Sequence, residues 1–150
     1  MTDEEKFMRV ALAQARRAQA RGEVPVGAVV VSRGKILGRG HNRSAGRNDP
    51  TAHAEIEAIR RACRTNQNYR LTDCDLYVTL EPCAMCLGTA VHARLRRIVY
   101  GASDPKAGAV RSVMRFPFKK LNHRPEIRGG LLARECGLAL KDFFKERRFK

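Results

Sequence analysis

Two short segments of this 150-residue chain combine residue types that can bind a metal ion and transfer protons. The first is His53-Ala54-Glu55, and the second is Pro82-Cys83-Ala84-Met85-Cys86. Cys83 and Cys86 stand three residues apart, which in a helical turn places both sulfur atoms on one face and within reach of one ion. A helix N-terminus also lowers the pKa of a nearby thiol and favours the thiolate that a metal requires. The spacing therefore predicts a metal site with two sulfur ligands.

Addition of one histidine to the two thiolates gives three protein ligands, which favours a catalytic site over a closed structural one. Catalytic zinc sites with three protein ligands keep the fourth tetrahedral position for water. Zinc brings the pKa of a bound water from ~15.7 to about 7, so hydroxide becomes accessible at neutral pH. We predict that His53, Cys83 and Cys86 hold one Zn²⁺ per subunit, since one nitrogen and two sulfur ligands suit this ion.

Glu55 lies two residues after His53 and is not required as a fourth ligand, so we predict that it acts as general acid and base. It would take the proton of the attacking water, deliver it to a ring nitrogen of a substrate, and later help ammonia to leave. A lone Cys-x-x-Cys is equally typical of a redox pair or half of a structural zinc site, and a lone H-x-E is almost uninformative. The two motifs together, each at a predicted helix start, favour the catalytic interpretation.

The other cysteines and histidines are assigned no chemistry. Cys63 and Cys136 lie on apolar helical faces and are predicted core residues, while Cys74 lies in a predicted turn. We interpret the remaining histidines as surface or hydrogen-bonding residues; they are His41, His92 and His123.

The elements that must position the two motifs alternate between helices and strands. The first predicted helix has a Thr2–Glu5 capping box and runs to about residue 21, and a hairpin follows, formed by a strand at residues 24–31 and a return strand that begins at Ile36. The next predicted elements are a helix starting at residues 49–51, a strand at 75–80 and a helix from Pro82 to about Ala93. Strands at 97–100 and 126–128 follow, and then a final amphipathic helix that contains Leu132, Cys136 and Phe143. Residues 101–124 are predicted as loop. This alternation predicts one α/β domain over residues 1–150, with helices packed over a central sheet.

The second helix has a strong amphipathic pattern. Its predicted core face comprises Ala52, Ile56, Ile59 and Cys63, and its predicted outer face comprises Glu57, Arg60, Arg61 and Arg64. We therefore expect this helix to cover one face of the sheet.

The composition restricts the class of protein and its partners. Thirty Lys and Arg residues against fifteen Asp and Glu residues give a formal charge of +15, which favours a polyanionic partner. Five cysteines, an odd number without regular pairing, argue against a secreted disulfide framework. No apolar run approaches the roughly 20 residues that span a bilayer, and the acidic N-terminus does not resemble a secretory signal. We expect a cytoplasmic protein with no membrane association.

The H-x-E and P-C-x-x-C pair resembles the signature of zinc-dependent deaminases of the cytidine deaminase superfamily. Further segments narrow the resemblance to the bacterial tRNA-specific adenosine deaminases and span nearly the whole chain. They are EVPVGAVVV (23–31), GHNR (40–43), DPTAHAEI (49–56), LYVTLEPCAMC (76–86) and the stretch 121–148, which contains LNH and DFFKERR. Residues 109–120 are unusually basic and match that family only loosely.

This resemblance implies a three-layer α/β/α cytidine deaminase-like fold with a central mixed five-stranded sheet. It also implies a homodimer that helps to shape each active site, and conversion of adenosine to inosine at the wobble position of tRNA. By the same resemblance, the residue matching Asn42 contacts the purine, and the loop with Asp104 and Lys106 touches the nucleotides that flank it. The C-terminal helix is implied to meet the anticodon loop through Phe143, Phe144, Arg147 and Arg148.

An anticodon stem-loop suits such a site physically. Sequence-specific RNA recognition mostly targets single-stranded loops with unstacked bases, and a base in a loop costs less to extract than one in a duplex. Contacts from Lys and Arg to phosphates supply affinity but little selectivity, so we expect binding to weaken steeply with salt.

Two alternatives remain open at this point. A deaminase of free cytosine, guanine or a nucleoside would share every zinc-site residue, although the basic composition and DFFKERR disfavour it. A non-catalytic RNA-binding subunit with structural zinc is disfavoured because Glu55 is intact and three ligands leave an open position.

Overall fold

The computed structural model of the chain describes the backbone of residues 1–148 and the side chains of residues 1–147. Its elements in chain order are α1 (Asp3–Ala20), β1 (Gly27–Ser32), β2 (Lys35–His41), α2 (Ser44–Arg47), α3 (Ala54–Asn66), β3 (Cys74–Leu80), α4 (Ala84–Ala93), β4 (Arg97–Ala102), a 3-10 turn (Phe118–Lys120), β5 (Glu126–Arg128) and α5 (Ala133–Arg148). No helix within residues 1–148 has both the length and the apolar character needed to cross a membrane.

The five strands form one mixed sheet in the order β2-β1-β3-β4-β5. β1 runs antiparallel to both β2 and β3, whereas β3, β4 and β5 are mutually parallel. The connection from β3 to β4 passes through α4, as parallel neighbours require a crossover. The predicted α/β class with a mixed five-stranded sheet is confirmed.

The sheet lies between two helical layers, because its strands alternate apolar side chains between both faces. Val30, Leu76 and Ile98 belong to the core shared with α3 and α4. Val29, Tyr77 and Val99 belong to the core on the other face, which includes residues of α1 and a cysteine of α5. This arrangement is the predicted three-layer α/β/α architecture.

Two glycines allow the edge strand β2 to approach α3 closely. A Cβ atom on Gly40 would lie 2.4 Å from the carbonyl oxygen of Ala54, and one on Gly38 would lie equally close to that of Ala58. Any larger residue would push strand and helix apart. The glycines thereby hold the end of β2 against the start of α3, where the first chemical motif lies.

The prediction of a helix start at residues 49–51 is wrong, since α3 begins at Ala54. Asp49 folds the preceding segment into a turn, because its Oδ1 accepts hydrogen bonds from both the backbone N–H and the hydroxyl of Thr51. A further short helix, α2, precedes this turn and was not predicted. The first strand also begins three residues later than predicted, at Gly27.

Glu57 was predicted on the outer face of α3, and this prediction is also wrong. Its side chain is buried, with 3% relative exposure. Arg47 at the end of α2 donates a hydrogen bond of 2.8 Å to its Oε1. The ion pair gives the buried carboxylate a partner and ties α2 to α3.

Candidate metal centre and nucleic-acid interface

The two chemical motifs each begin a helix that packs over the same face of the sheet. His53 is the N-cap of α3 and Cys83 is the N-cap of α4, both with extended backbone angles. Neither side chain makes the capping hydrogen bond that Ser, Thr or Asp usually makes at this position. Both side chains are consequently available for another partner.

His53, Cys83 and Cys86 converge on one point. The Nδ1 atom of His53 lies 3.6 Å from the Sγ atom of Cys83 and 3.6 Å from the Sγ atom of Cys86. The three ligand atoms all lie within 4.8 Å of one another. One nitrogen and two sulfur atoms at this separation fit a tetrahedral zinc ion with one further position. Among the described residues, no other set of His, Cys, Asp or Glu forms such a group.

The two thiols differ in their electrostatic state. Hydrogen bonding from Cys86, helped by the imidazole of His53, lowers the pKa of Cys83 to about 4. Donation to Cys83 and burial raise the pKa of Cys86. The hydrogen bond with Cys83 also raises the pKa of His53, against the opposing effect of burial. The lowered pKa of Cys83 favours its thiolate, the form that a metal binds.

Glu55 lies in the first turn of α3 with its carboxyl group almost wholly buried, at 4% relative exposure. Burial raises the pKa of Glu55 to about 7, and the Cys83 thiolate contributes in the same direction. A carboxyl group with such a pKa exchanges protons in both directions near neutral pH, as a general acid and base must.

Asn42 follows β2 and lies beside this motif. Its Oδ1 accepts a hydrogen bond of 2.8 Å from the backbone N–H of Ala54, which satisfies the first turn of α3 that the side chain of His53 leaves uncapped. Its own backbone N–H donates to the carbonyl of Val26. The side-chain amide still carries two N–H donors on its nitrogen.

Asp104 organises its own loop. Its Oδ1 accepts hydrogen bonds from the backbone N–H groups of Lys106 and Ala107. The ammonium group of Lys106 lies 5.0 Å from the ring centroid of Phe144 on α5. The loop and the C-terminal helix thus meet through a cation–π contact.

The aromatic pair on α5 divides between interior and surface. Phe143 is buried, whereas Phe144 is 39% exposed, and their rings meet edge to face. The guanidinium of Arg147 lies 4.6 Å above the ring of Phe143 and donates to the carbonyl of Gly22. The side chain of Arg148, also predicted to contact RNA, lies outside the described residues.

Glu81 is a residue that the sequence analysis did not single out. It is the single residue between β3 and Pro82, and it is buried, with 2% relative exposure. Its oxygens accept hydrogen bonds from the loop that carries Asp104, including the backbone N–H groups of Asp104 and Arg111. The only signal in the sequence is an acidic side chain directly after a buried strand and before the cysteine motif.

The remaining cysteines lie apart from the metal ligands. Cys74 and Cys136 are buried and Cys63 is half-buried. The Nε2–H group of His123 donates a hydrogen bond of 2.8 Å to the carbonyl of Leu95, which agrees with its interpretation as a hydrogen-bonding residue.

Comparison with known proteins supplies independent information. The family model of the MafB19-like deaminases matches residues 2–148. A curated tRNA-specific adenosine deaminase of Haemophilus influenzae is 52% identical over 149 residues, which cover 97% of this chain and 85% of the relative. A structure from studies of A-to-I editing by tRNA:A34 deaminases at the wobble position of transfer RNA is 48% identical. It superposes with a TM-score of 0.85 over 90% of this chain and 99% of that one.

A more distant structure separates fold from substrate. The guanine deaminase of Nitrosomonas europaea superposes with a TM-score of 0.81 over 93% of this chain and 83% of that chain, at 24% identity. At this identity the likeness concerns the fold alone, and the fold is therefore compatible with different bases.

Proposed function

The chain belongs to the MafB19-like deaminases and to the tRNA-specific adenosine deaminases, and we propose that it converts adenosine to inosine at the wobble position of a tRNA anticodon. The observation that carries the proposal is the convergence of His53, Cys83 and Cys86 beside the buried carboxyl group of Glu55. Three metal ligands and one acidic proton carrier are the groups that zinc-dependent deaminases use for the hydrolytic step.

His53, Cys83 and Cys86 are the proposed ligands of one zinc ion per subunit. When bound, zinc would act as a Lewis acid that makes water a competent nucleophile at neutral pH. Glu55 takes the proton of the attacking water and delivers it to a ring nitrogen of the adenine. Attack at C6 followed by proton transfer to the leaving amino group then releases ammonia and leaves inosine. The burial of Glu55 keeps its pKa near neutrality, which suits both directions of transfer.

Asn42 is the proposed contact to the purine. Its Oδ1 is occupied by the N–H of Ala54, so the amide nitrogen is the group that can donate to an acceptor on the base. The same hydrogen bond also holds the Asn42 side chain close to Glu55, because Ala54 and Glu55 are adjacent residues in the first turn of α3.

We assign recognition of the RNA to the 103–112 loop and to α5. Asp104 shapes the loop, Lys106 and Arg147 supply positive charge, and Phe144 offers an exposed ring on which a base can stack. Phe143 supports Phe144 from the interior, and Arg148 remains a proposed RNA contact that rests on the family resemblance. The formal charge of +15 supports a polyanionic substrate over a free base.

The proposal includes three further properties, of which only the homodimer rests on the family resemblance. Residues 1–150 form a single deaminase domain, the active species is a homodimer, and the protein works in the cytoplasm with its tRNA substrate. Light scattering on the purified protein tests the dimer, since a particle of one chain would contradict it.

The decisive experiment measures inosine in an anticodon stem-loop with a wobble adenosine, alongside free adenosine, cytosine and guanine. The matched control is the same enzyme with Glu55→Gln, which preserves side-chain size and removes the proton carrier. Conversion of the stem-loop alone, absent in the control, is the expected result. Release of ammonia only from a free base or nucleoside would identify the protein as a small-molecule deaminase that uses the same zinc chemistry. Zinc-loaded protein that binds the stem-loop without converting it would identify a non-catalytic subunit.

A further inference from the structure

Glu81 holds an unusual number of backbone groups for one side chain. Its carboxylate is buried at the end of β3, two residues before the ligand Cys83. The donors are the backbone N–H groups of Asp104, Val110, Arg111 and Ser112, at 3.0–3.1 Å, and the hydroxyl of Ser112. One carboxylate thus satisfies groups at both ends of the 103–112 loop.

The partners of this carboxylate indicate a role in loop shape. Within residues 1–147, Glu81 accepts from main-chain N–H groups and a hydroxyl, and it forms no salt bridge with Lys or Arg. Backbone donors fix the path of a chain, whereas a flexible cationic side chain would not. Because both oxygens are used, the loop has one preferred conformation around the carboxylate.

The loop also packs against Glu81 without spare space. A Cβ atom on Gly108 would lie 2.4 Å from the carboxyl carbon of Glu81, so a larger residue would displace the carboxylate or the loop. The adjacent Ala109 donates its backbone N–H to the carbonyl of Pro82 at 2.9 Å. The loop is therefore fastened to the turn that leads directly into Cys83.

The outer side of the same loop carries positive charge. Lys106 and Arg111 are exposed, and Lys106 also contacts the ring of Phe144. A buried acid on the inner side and exposed cations on the outer side give the loop two distinct surfaces.

We propose that Glu81 is a positioning residue for RNA, which holds the 103–112 loop so that Lys106 and Arg111 meet the phosphates beside the target nucleotide. This inference rests on the proposed function, because it assumes a polyanionic substrate at the metal centre. Glu81 itself contacts the loop and not the RNA. Its loss should weaken substrate binding much more than the chemical step.

The test variant is Glu81→Gln in the zinc-loaded enzyme. The amide has nearly the same size, but its nitrogen is a donor and opposes the N–H and hydroxyl donors of the loop. We expect KM for the anticodon stem-loop to rise about tenfold while kcat changes by less than about threefold. The dependence of binding on salt should fall by about one unit of slope for each cation that loses its phosphate. Glu126→Gln, which removes an exposed carboxylate on β5, is the matched control and should leave both values unchanged.

Two readouts distinguish this role from a general structural one. Hydrogen exchange at the amides of residues 104 and 110–112 should accelerate in Glu81→Gln, while amides of β3 and α4 remain protected. In addition, Lys106→Ala should raise KM in the wild type but add little in the Glu81→Gln background, because the loop no longer presents the cation. Additive effects of the two changes would overturn the proposal.

Gly108→Ala provides a second variant that keeps the carboxylate. Its added methyl group displaces the loop from Glu81, so it should reproduce the increase in KM. Loss of zinc, or a fall in kcat with unchanged KM, in both variants would overturn the proposal. Such a result would show that Glu81 instead supports the turn that leads into Cys83. If the wild type makes no inosine, the proposed function fails, whereas the exchange experiment still tests the contact between Glu81 and the loop.

Discussion

The Nδ1 atom of His53 lies 3.6 Å from the Sγ atom of Cys86, although 33 residues separate them along the chain. The two residues belong to different helices, α3 and α4, which each contribute their first turn to one point. A metal ion held there would join two helix N-termini that only the folded sheet brings together. Metal binding would therefore be coupled to the tertiary structure.

Replacement of a sulfur ligand should abolish metal binding. Cys86→Ala leaves two ligands, too few for tight binding of zinc, so metal content should fall from about one ion per chain to near zero. Mass spectrometry of the purified protein measures this. The half-buried Cys63, outside the ligand group, serves as control, and Cys63→Ala should retain the metal. Equal zinc in both variants would exclude Cys86 as a ligand.

Removal of the metal should lower thermal stability as well as activity. A metal ion whose free concentration is 100 times its Kd stabilises the folded state by about 2.7 kcal/mol. For a chain of this size, that stabilisation corresponds to an increase of roughly 5–10 °C in Tm. Calorimetry before and after chelation measures the shift, and zinc added back should restore it. An unchanged Tm after complete removal would show that the ion does not link α3 and α4.

Glu55→Gln should reduce kcat by about 10²–10⁴-fold, because the amide cannot carry a proton between water and substrate. The buried carboxyl group is disfavoured in its charged form, so the neutral amide should not lower the free energy of unfolding. Zinc content and urea denaturation are the accompanying measurements. Full turnover in this variant would contradict the assigned mechanism.

Asn42 has two functions that a pair of substitutions can separate. Asn42→Asp keeps an oxygen acceptor for the N–H of Ala54 but removes the amide donor, so it should fold normally and lose about 10- to 100-fold in kcat/KM. Asn42→Ala removes the cap as well and should cost a further ~1 kcal/mol of stability. Urea denaturation with steady-state kinetics distinguishes them. Normal activity in Asn42→Asp would exclude a donor role toward the purine.

Lys106 and Phe144 touch each other but should contribute to RNA binding through different physics. Lys106→Ala removes a charge and should reduce the salt slope of binding by about 1. Phe144→Ala removes a stacking surface and should cost about 1–3 kcal/mol of binding with an unchanged salt slope. Titration of a labelled stem-loop at several salt concentrations measures both. Identical salt slopes for the two variants would contradict a phosphate contact for Lys106.

Features set by neighbouring residues were accessible from the sequence. The helical spacing of Cys83 and Cys86 follows from local geometry, and the same holds for the capping box of Thr2 and Glu5, which the structure contains. The strands predicted at residues 24–31 and 75–80 were recognisable as runs of β-branched and apolar residues, which are typical of strands buried on both faces of a sheet. The two motifs therefore predict the candidate metal centre from the sequence alone.

The positions of buried carboxylates were not accessible in this way. The helical pattern places Glu57 on the outward face of α3, yet its carboxylate is buried and pairs with Arg47, ten residues earlier in the chain. Local periodicity describes one helix and contains no information on a partner that arrives from another element. The late start of α3 has a local cause instead, since the turn formed by Asp49 and Thr51 includes the residues that precede the helix.

The amino-acid sequence by itself determined the candidate chemistry of this protein, because the candidate metal ligands and proton carrier are recognised by residue type and by their spacing within each of the two motifs. The tertiary structure alone decided how that chemistry is presented. Glu81 meets Ser112 across 31 residues, and the strand order β2-β1-β3-β4-β5 brings both helix starts to one place. Such contacts depend on the packing of the whole chain, which no local pattern encodes.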